Sequence, residues 1–244
     1  MTLLAALAWV LTVAQSRDMG MGSGTMGLTL PLFLLLWVVM MVAMMFPSVA
    51  PVAITWARGI GRQATGVVRT ARIGAFAGGY LLAWTAFGLV AYGLLALTGR
   101  LVENDPGAGR WIGAGAFLLA GLYQIGPLKR VCLRHCRDPL SHLMHYAHFR
   151  PWARDLRVGL HHGLYCVGCC WGLMIVLVPL GVMNVAAMAG LAAVIFLEKL
   201  WRRGPWLSWA VGACFLILAA LAPFQDWMLP GLGEAETPHT EMAR

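Results

Sequence analysis

The chain has 244 residues, of which 60% are apolar and 11% are charged, and its mean hydropathy is +0.73. Soluble proteins carry about 45–50% apolar and about 25% charged residues, so a water-soluble globular domain is excluded, as are disordered, collagenous and coiled-coil chains. An all-α polytopic transmembrane helical bundle remains. The excess of Lys and Arg over Asp and Glu, 18 against 10, is typical of cytoplasmic loops in such proteins.

Seven apolar segments follow one another along the chain, and a bilayer crossing needs about 20 apolar residues. In order, the segments are 2–14, 28–56, 73–98, 111–128, 158–180, 183–197 and 206–223. The first is short and fits either a thin first helix or the apolar region of a signal peptide. We favour the helix because no Lys or Arg precedes it, so we expect about seven helices, or six if this segment is a signal peptide.

These segments divide the chain into three regions. Residues 1–27 hold the first segment and a Met-rich outer loop with Met19, Met21 and Met26. Residues 28–223 form the transmembrane domain, which includes a cytoplasmic Cys/His loop at 129–157. Residues 224–244 form an acidic extracytoplasmic tail that we expect to be disordered.

Basic residues alternate from one side of the predicted bundle to the other. Fourteen of the eighteen Lys and Arg lie in 58–72, 129–157 and 199–203, which the seven segments place on the same side. Cytoplasmic loops carry the excess of Lys and Arg, so this side faces the cytoplasm and the C-terminus lies outside. The same distribution excludes nucleic acid as a partner and makes the lipid bilayer the expected surroundings.

Cysteine and histidine are concentrated in one window: five of six Cys and six of seven His lie between Cys132 and Cys170. Within it, Cys166, Cys169 and Cys170 occupy positions i, i+3 and i+4, which share one face of a helix. His162 extends that face by one turn. Polar groups at this depth in a bilayer are usually functional, so we predict a metal site; the alternative is that the thiols pack as small apolar groups.

Four methionines form a second set of soft ligands on the second segment. Met40, Met41, Met44 and Met45 form a doublet repeated one helical turn later, and Pro47 follows. Thioethers together with thiolates select Cu(I) among the biological metals. We therefore expect these side chains to face the thiols and to bind the same metal, with adaptable core packing as the alternative.

A third set lies in the cytoplasmic loop. Cys132, His135 and Cys136 fall within one helical turn of each other, and three further histidines recur every three residues. Those histidines are His142, His145 and His148. Zinc accepts such a Cys and His set tetrahedrally, so zinc is a candidate here beside copper; the alternative is an amphipathic segment at the membrane interface.

Two other polar features need an interpretation. Glu198 and Lys199 end the sixth segment, and we interpret them as an ion pair at the interface, with support of a ligating His161 or His162 by Glu198 as the alternative. Cys214 has no Cys, His or Met within one turn, and we expect it to pack as an apolar residue.

Several motifs resemble those of a bacterial family of unknown function described as predicted metal-binding integral membrane proteins. The motifs are the Met40–Ser48 methionine pattern, Tyr123–Pro139 with its paired cysteines, Gly159–Trp171 with its three cysteines, and Met183–Lys199. The resemblance covers roughly residues 28–209. It implies a multi-pass protein of the bacterial inner membrane that binds metal, and it carries no established activity.

The leading hypothesis is Cu(I) handling, as a transporter or a membrane chaperone that passes the ion to an extracytoplasmic metal-binding partner. We predict no catalytic residue for this function and favour a binding protein over an enzyme. One alternative is a membrane thiol oxidoreductase that uses the Cys166/Cys169 dithiol. The other is a scaffold in which Cys and Met only pack.

Overall fold

A computed structural model describes residues 2–18, 24–25, 27–61, 64–105, 107–137, 151–225, 227 and 229–232. Within these residues all regular structure is helical, which confirms that the fold is all-α. The described residues form nine α-helices, followed by a 3₁₀ turn at Ala222–Phe224. The helices are α1 Thr2–Asp18, α2 Leu30–Gly61, α3 Gly66–Asn104, α4 Ala108–Ile125, α5 Pro127–Arg137, α6 Pro151–Ile175, α7 Leu177–Leu180, α8 Val185–Leu200 and α9 Gly204–Leu221.

Two helices exceed the seven expected, and proline accounts for both. The predicted 158–180 segment is interrupted after Ile175, because Pro179 has no N–H for the Ile175 carbonyl and its ring crowds that carbonyl. The other addition is α5, which begins at Pro127 and is bent by 62° from α4. Proline suits the first position of a helix because its missing N–H has no partner there in any case.

Four helical stretches are long and apolar enough to cross a membrane: Leu30–Gly59, Gly66–Asn104, Ala153–Ile175 and Gly204–Phe224. Counting the bent pair α4 and α5 as one broken span gives five. The first segment is helical but shorter, and α8 has 16 residues. Length and composition thus support fewer crossings than the seven that the sequence predicts.

Small residues bring α3 and α6 into direct backbone contact. A Cβ atom on Gly79 would overlap the Leu156 carbonyl, and one on Gly159 would overlap the Phe76 carbonyl. Such close approach is the usual use of small residues between apolar helices. The Arg72–Asp155 ion pair, 2.8 Å between Nε and Oδ2, joins the same two helices near one end. This packing also holds together the side chains of α3 and α6 that lie one to two helical turns beyond these glycine contacts.

The interior combines apolar side chains with an unusual number of polar ones. The methionines of α2 and the cysteines of α5 and α6 belong to one buried cluster. Lys129, Glu198 and Lys199 are also buried, as are Gln124 and Ser48. Buried charges are rare unless they are paired. The partners of these side chains therefore indicate which part of the fold is a candidate functional site.

Candidate metal centre

Three sulfur atoms converge inside α6. The Sγ atoms of Cys166, Cys169 and Cys170 all lie within 4.8 Å of one another, and each residue is at most 1% exposed. The Sγ atoms of Cys169 and Cys170 are 3.2 Å apart. Helical spacing predicts this convergence, and among the described residues it is the one set of three or more Cys, His, Asp or Glu whose donor atoms meet in this way.

A buried lysine and a buried tyrosine face this thiol set, and neither contact was predicted from the sequence. Lys199 Nζ lies 3.0 Å from Cys166 Sγ and donates to Ser48 Oγ at 3.2 Å. Tyr80 Oη lies 3.0 Å from the same sulfur. Ser48 donates in turn to the Met45 carbonyl at 2.9 Å. The cation and the sulfur thus stabilise each other where neither is solvated.

The interpretation of Glu198 and Lys199 as an ion pair is wrong. Glu198 pairs instead with Lys129 of α5, with 2.7 Å between Oε2 and Nζ, and both side chains are at most 2% exposed. Its other carboxylate oxygen accepts from Ser208 at 2.8 Å and from Gln124. Adjacent helical residues point in different directions, so Glu198 and Lys199 serve two separate polar clusters on either side of α8.

The two cysteines of α5 do not form a converging ligand set with His135. Cys136 Sγ lies 3.7 Å from Cys169 Sγ. Cys132 Sγ is so close to Gly168 that a Cβ there would lie 2.9 Å from it. His135 stacks on Tyr165, with ring centroids 3.4 Å apart. Both α5 cysteines therefore turn toward α6, while the loop histidines at 142, 145 and 148 lie outside the described residues.

The remaining predicted ligands, one histidine and four methionines, are buried, and the histidine is not part of the converging set. His162 is 9% exposed and stacks against Tyr80, with ring centroids 6.2 Å apart. Met40, Met41, Met44 and Met45 are all buried, so this face of α2 points into the protein. Their coordination of a metal stays a prediction, and Met19, Met21 and Met26 lie outside the described residues.

The donor set has clear chemical preferences. All six cysteines are free thiols, and Cys214 is exposed on α9, away from the other five. Sulfur ligands favour Cu(I) and zinc, and structural zinc sites close a tetrahedron with a fourth protein ligand. The converging set offers three sulfurs and faces the Lys199 ammonium, which has no lone pair to donate. Three soft ligands beside a cation suit a monovalent soft ion.

Comparison with known families bears on the same chemistry. A family model described as a copper chaperone (PpoB2) matches residues 34–222. The chain belongs to this copper chaperone family. No curated protein and no solved structure matches it.

All eleven predicted metal ligands lie within the part matched to the copper chaperone family, from Met40 on α2 to Cys170 on α6. The match also contains Lys199, Tyr80 and Ser48, and it begins after α1. Family membership supports copper handling, and the three converging thiols could hold a metal ion.

Proposed function

We propose that this protein is an integral membrane Cu(I)-binding chaperone whose cargo ion binds to the sulfurs of Cys166, Cys169 and Cys170. The observation that carries the proposal is the convergence of three buried Sγ atoms within 4.8 Å of one another. A thiolate is the form of cysteine that binds metal, and thiolate and thioether ligands select Cu(I). Membership of the copper chaperone family supports the same ion.

Lys199 makes the site electrostatically possible. Three thiolates and one monovalent ion together carry a net negative charge, which is costly to bury without a nearby cation. Lys199 is 8% exposed and contacts Cys166 Sγ at 3.0 Å. Its ammonium offsets part of that charge without competing as a ligand, because it has no lone pair.

The surface of the bundle supports the proposed membrane insertion. Large apolar side chains are exposed along the outer faces of several helices, for example Leu82, Leu89 and Leu94 on α3 and Ile217 on α9. Large exposed apolar side chains in this number support a lipid environment. If all seven predicted segments cross the bilayer, the alternation of basic segments supports an orientation with α5 toward the cytoplasm and the C-terminus outside, and we propose the inner membrane of a bacterium as the location.

The four buried methionines of α2 extend the proposed binding region. Ser48, at the end of this methionine pattern, connects α2 to the thiols through Lys199. Thioethers bind Cu(I) as neutral ligands, so a methionine added to the thiol set brings no further negative charge. We propose that Met40, Met41, Met44 and Met45 accept the ion between the thiols and an extracytoplasmic partner.

Metal analysis of the protein purified anaerobically in detergent tests the proposal. The wild type is expected to retain stoichiometric copper, and the triple variant Cys166→Ser, Cys169→Ser, Cys170→Ser is expected to retain none. A wild type that titrates as a reversible dithiol without binding copper would instead support the thiol oxidoreductase. Absence of both properties would leave the scaffold.

A further inference from the structure

One thiol outside the converging set reaches it from another helix. Cys136, in the last turn of α5, places its Sγ 3.7 Å from that of Cys169. Cys136 is not among the sulfurs that converge within 4.8 Å. It contacts the site through Cys169, which makes Cys169 the sulfur common to two neighbouring sets of ligands.

The helix that carries Cys136 is held against α8 by specific contacts. Lys129, at the start of α5, pairs with Glu198, and Arg137, at its end, donates to the Glu198 backbone carbonyl at 2.6 Å. One face of α5 is buried by these contacts. Its opposite face is exposed and basic, with Arg130 and Arg134 on it. Cys136 thus lies between the buried thiols and the charged surface of the protein.

We propose that Cys136 and Cys169 form a two-thiolate exchange site through which Cu(I) passes between the three buried thiols and the charged end of α5. This inference rests on the proposed function, because it assumes that the buried thiols hold Cu(I). It goes further by assigning a route, a direction toward the cytoplasmic end of the bundle, and a pairing of cysteines that sequence spacing does not reveal.

The exchange balances without an oxidant or reductant. The bond from copper to Cys169 persists, a bond to Cys136 forms, and the bonds to Cys166 and Cys170 break. Cys136 loses its thiol proton as it binds, and Cys170 takes up a proton as it is released, while Cys166 keeps its contact with Lys199. Copper remains Cu(I) throughout, and the numbers of protons and electrons are unchanged.

Transfer of copper to a water-soluble Cu(I) chelator, bathocuproine disulfonate, tests this route. The full-length protein is loaded anaerobically in detergent, and the absorbance of the chelator complex is followed after mixing. Cys136→Ser is expected to keep the wild-type copper content while slowing transfer at least about tenfold, which corresponds to about 1.4 kcal/mol in the barrier. Cys214→Ser, at an exposed position outside the buried cluster that holds the other five cysteines, is the control and is expected to transfer at the wild-type rate.

Two results would overturn the inference while leaving the proposed function intact. Transfer from Cys136→Ser at the wild-type rate would show that copper leaves by another route. Loss of copper from Cys136→Ser at equilibrium would make Cys136 a resident ligand instead. Should this variant unfold, Cys136→Ala also lacks the ligand atom and preserves the apolar character of the position. A wild type that binds no copper would refute the proposed function itself.

Discussion

The buried ion pair of Glu198 and Lys129 gives a sharp prediction about stability. Glu198→Gln removes the negative charge but preserves the size of the side chain, and it leaves the Lys129 ammonium, 1% exposed, without its carboxylate. Removing one partner of a buried pair costs about 3–5 kcal/mol. For a protein of this size, about 2–4 °C per kcal/mol converts this loss into a fall in melting temperature of roughly 6–20 °C.

A second substitution distinguishes the cost of leaving the Lys129 ammonium without a counter-charge from the cost of the hydrogen bonds that change in Glu198→Gln. Lys129→Met in the Glu198→Gln background removes the buried ammonium, so we expect it to restore much of the stability. The two residues are in contact, and contacting residues show interaction energies of about 0.5–3 kcal/mol in double-mutant cycles. The double variant should therefore be more stable than the sum of the two single changes predicts.

Thermal unfolding in detergent, followed by circular dichroism, measures these effects. Glu103→Gln is the matched control, because it makes the same chemical change at an exposed carboxylate on α3. It should leave the melting temperature unchanged. If Glu198→Gln shifts the midpoint no more than this control does, the carboxylate is not stabilising Lys129 and the reasoning fails.

Three further predictions concern packing, metal and topology. Gly79→Ala should cost about 1–3 kcal/mol by overpacking against α6, whereas Gly78→Ala, with no atom within 4 Å of the added carbon, should be neutral or stabilising in thermal unfolding; equal losses would refute the close contact. Loss of a residue that supports a metal ligand lowers metal affinity about 10–100-fold, and Cys169→Ser, which removes a ligand itself, should weaken copper retention by more than this. Silver should compete with copper for the site, and magnesium should not. An equal effect of Cys214→Ser would mean that the thiols only pack. A reporter fused at Asp105 should face outside, and a cytoplasmic signal would reverse the proposed orientation.

The thiol set could be predicted from the sequence because it is local. Cys166, Cys169 and Cys170 belong to one helix, and helical geometry alone places them on one face. The repeat of the α2 methionines one helical turn apart likewise places them on one face of their helix, and that face is buried. The contacts of Lys199 with Cys166 and of Glu198 with Lys129 depend instead on which helices are neighbours.

Which helices become neighbours depends on features whose relative importance cannot be read from a single sequence. Contact of α3 with α6 requires the absence of a Cβ at Gly79 and Gly159, yet other glycines of α3 face open space. The pairing of Cys136 with Cys169 depends on the bend between α4 and α5, which redirects both cysteines of α5 toward α6. Spacing alone grouped Cys136 with Cys132 and His135.

X-ray absorption at the copper edge of the loaded protein tests most directly whether the buried thiols hold Cu(I). The wild type should show monovalent copper with sulfur neighbours, and the sulfur signal should disappear in the triple variant with serine at Cys166, Cys169 and Cys170. Copper bound through nitrogen or oxygen, or a spectrum that is unchanged by these three substitutions, would contradict the proposed site.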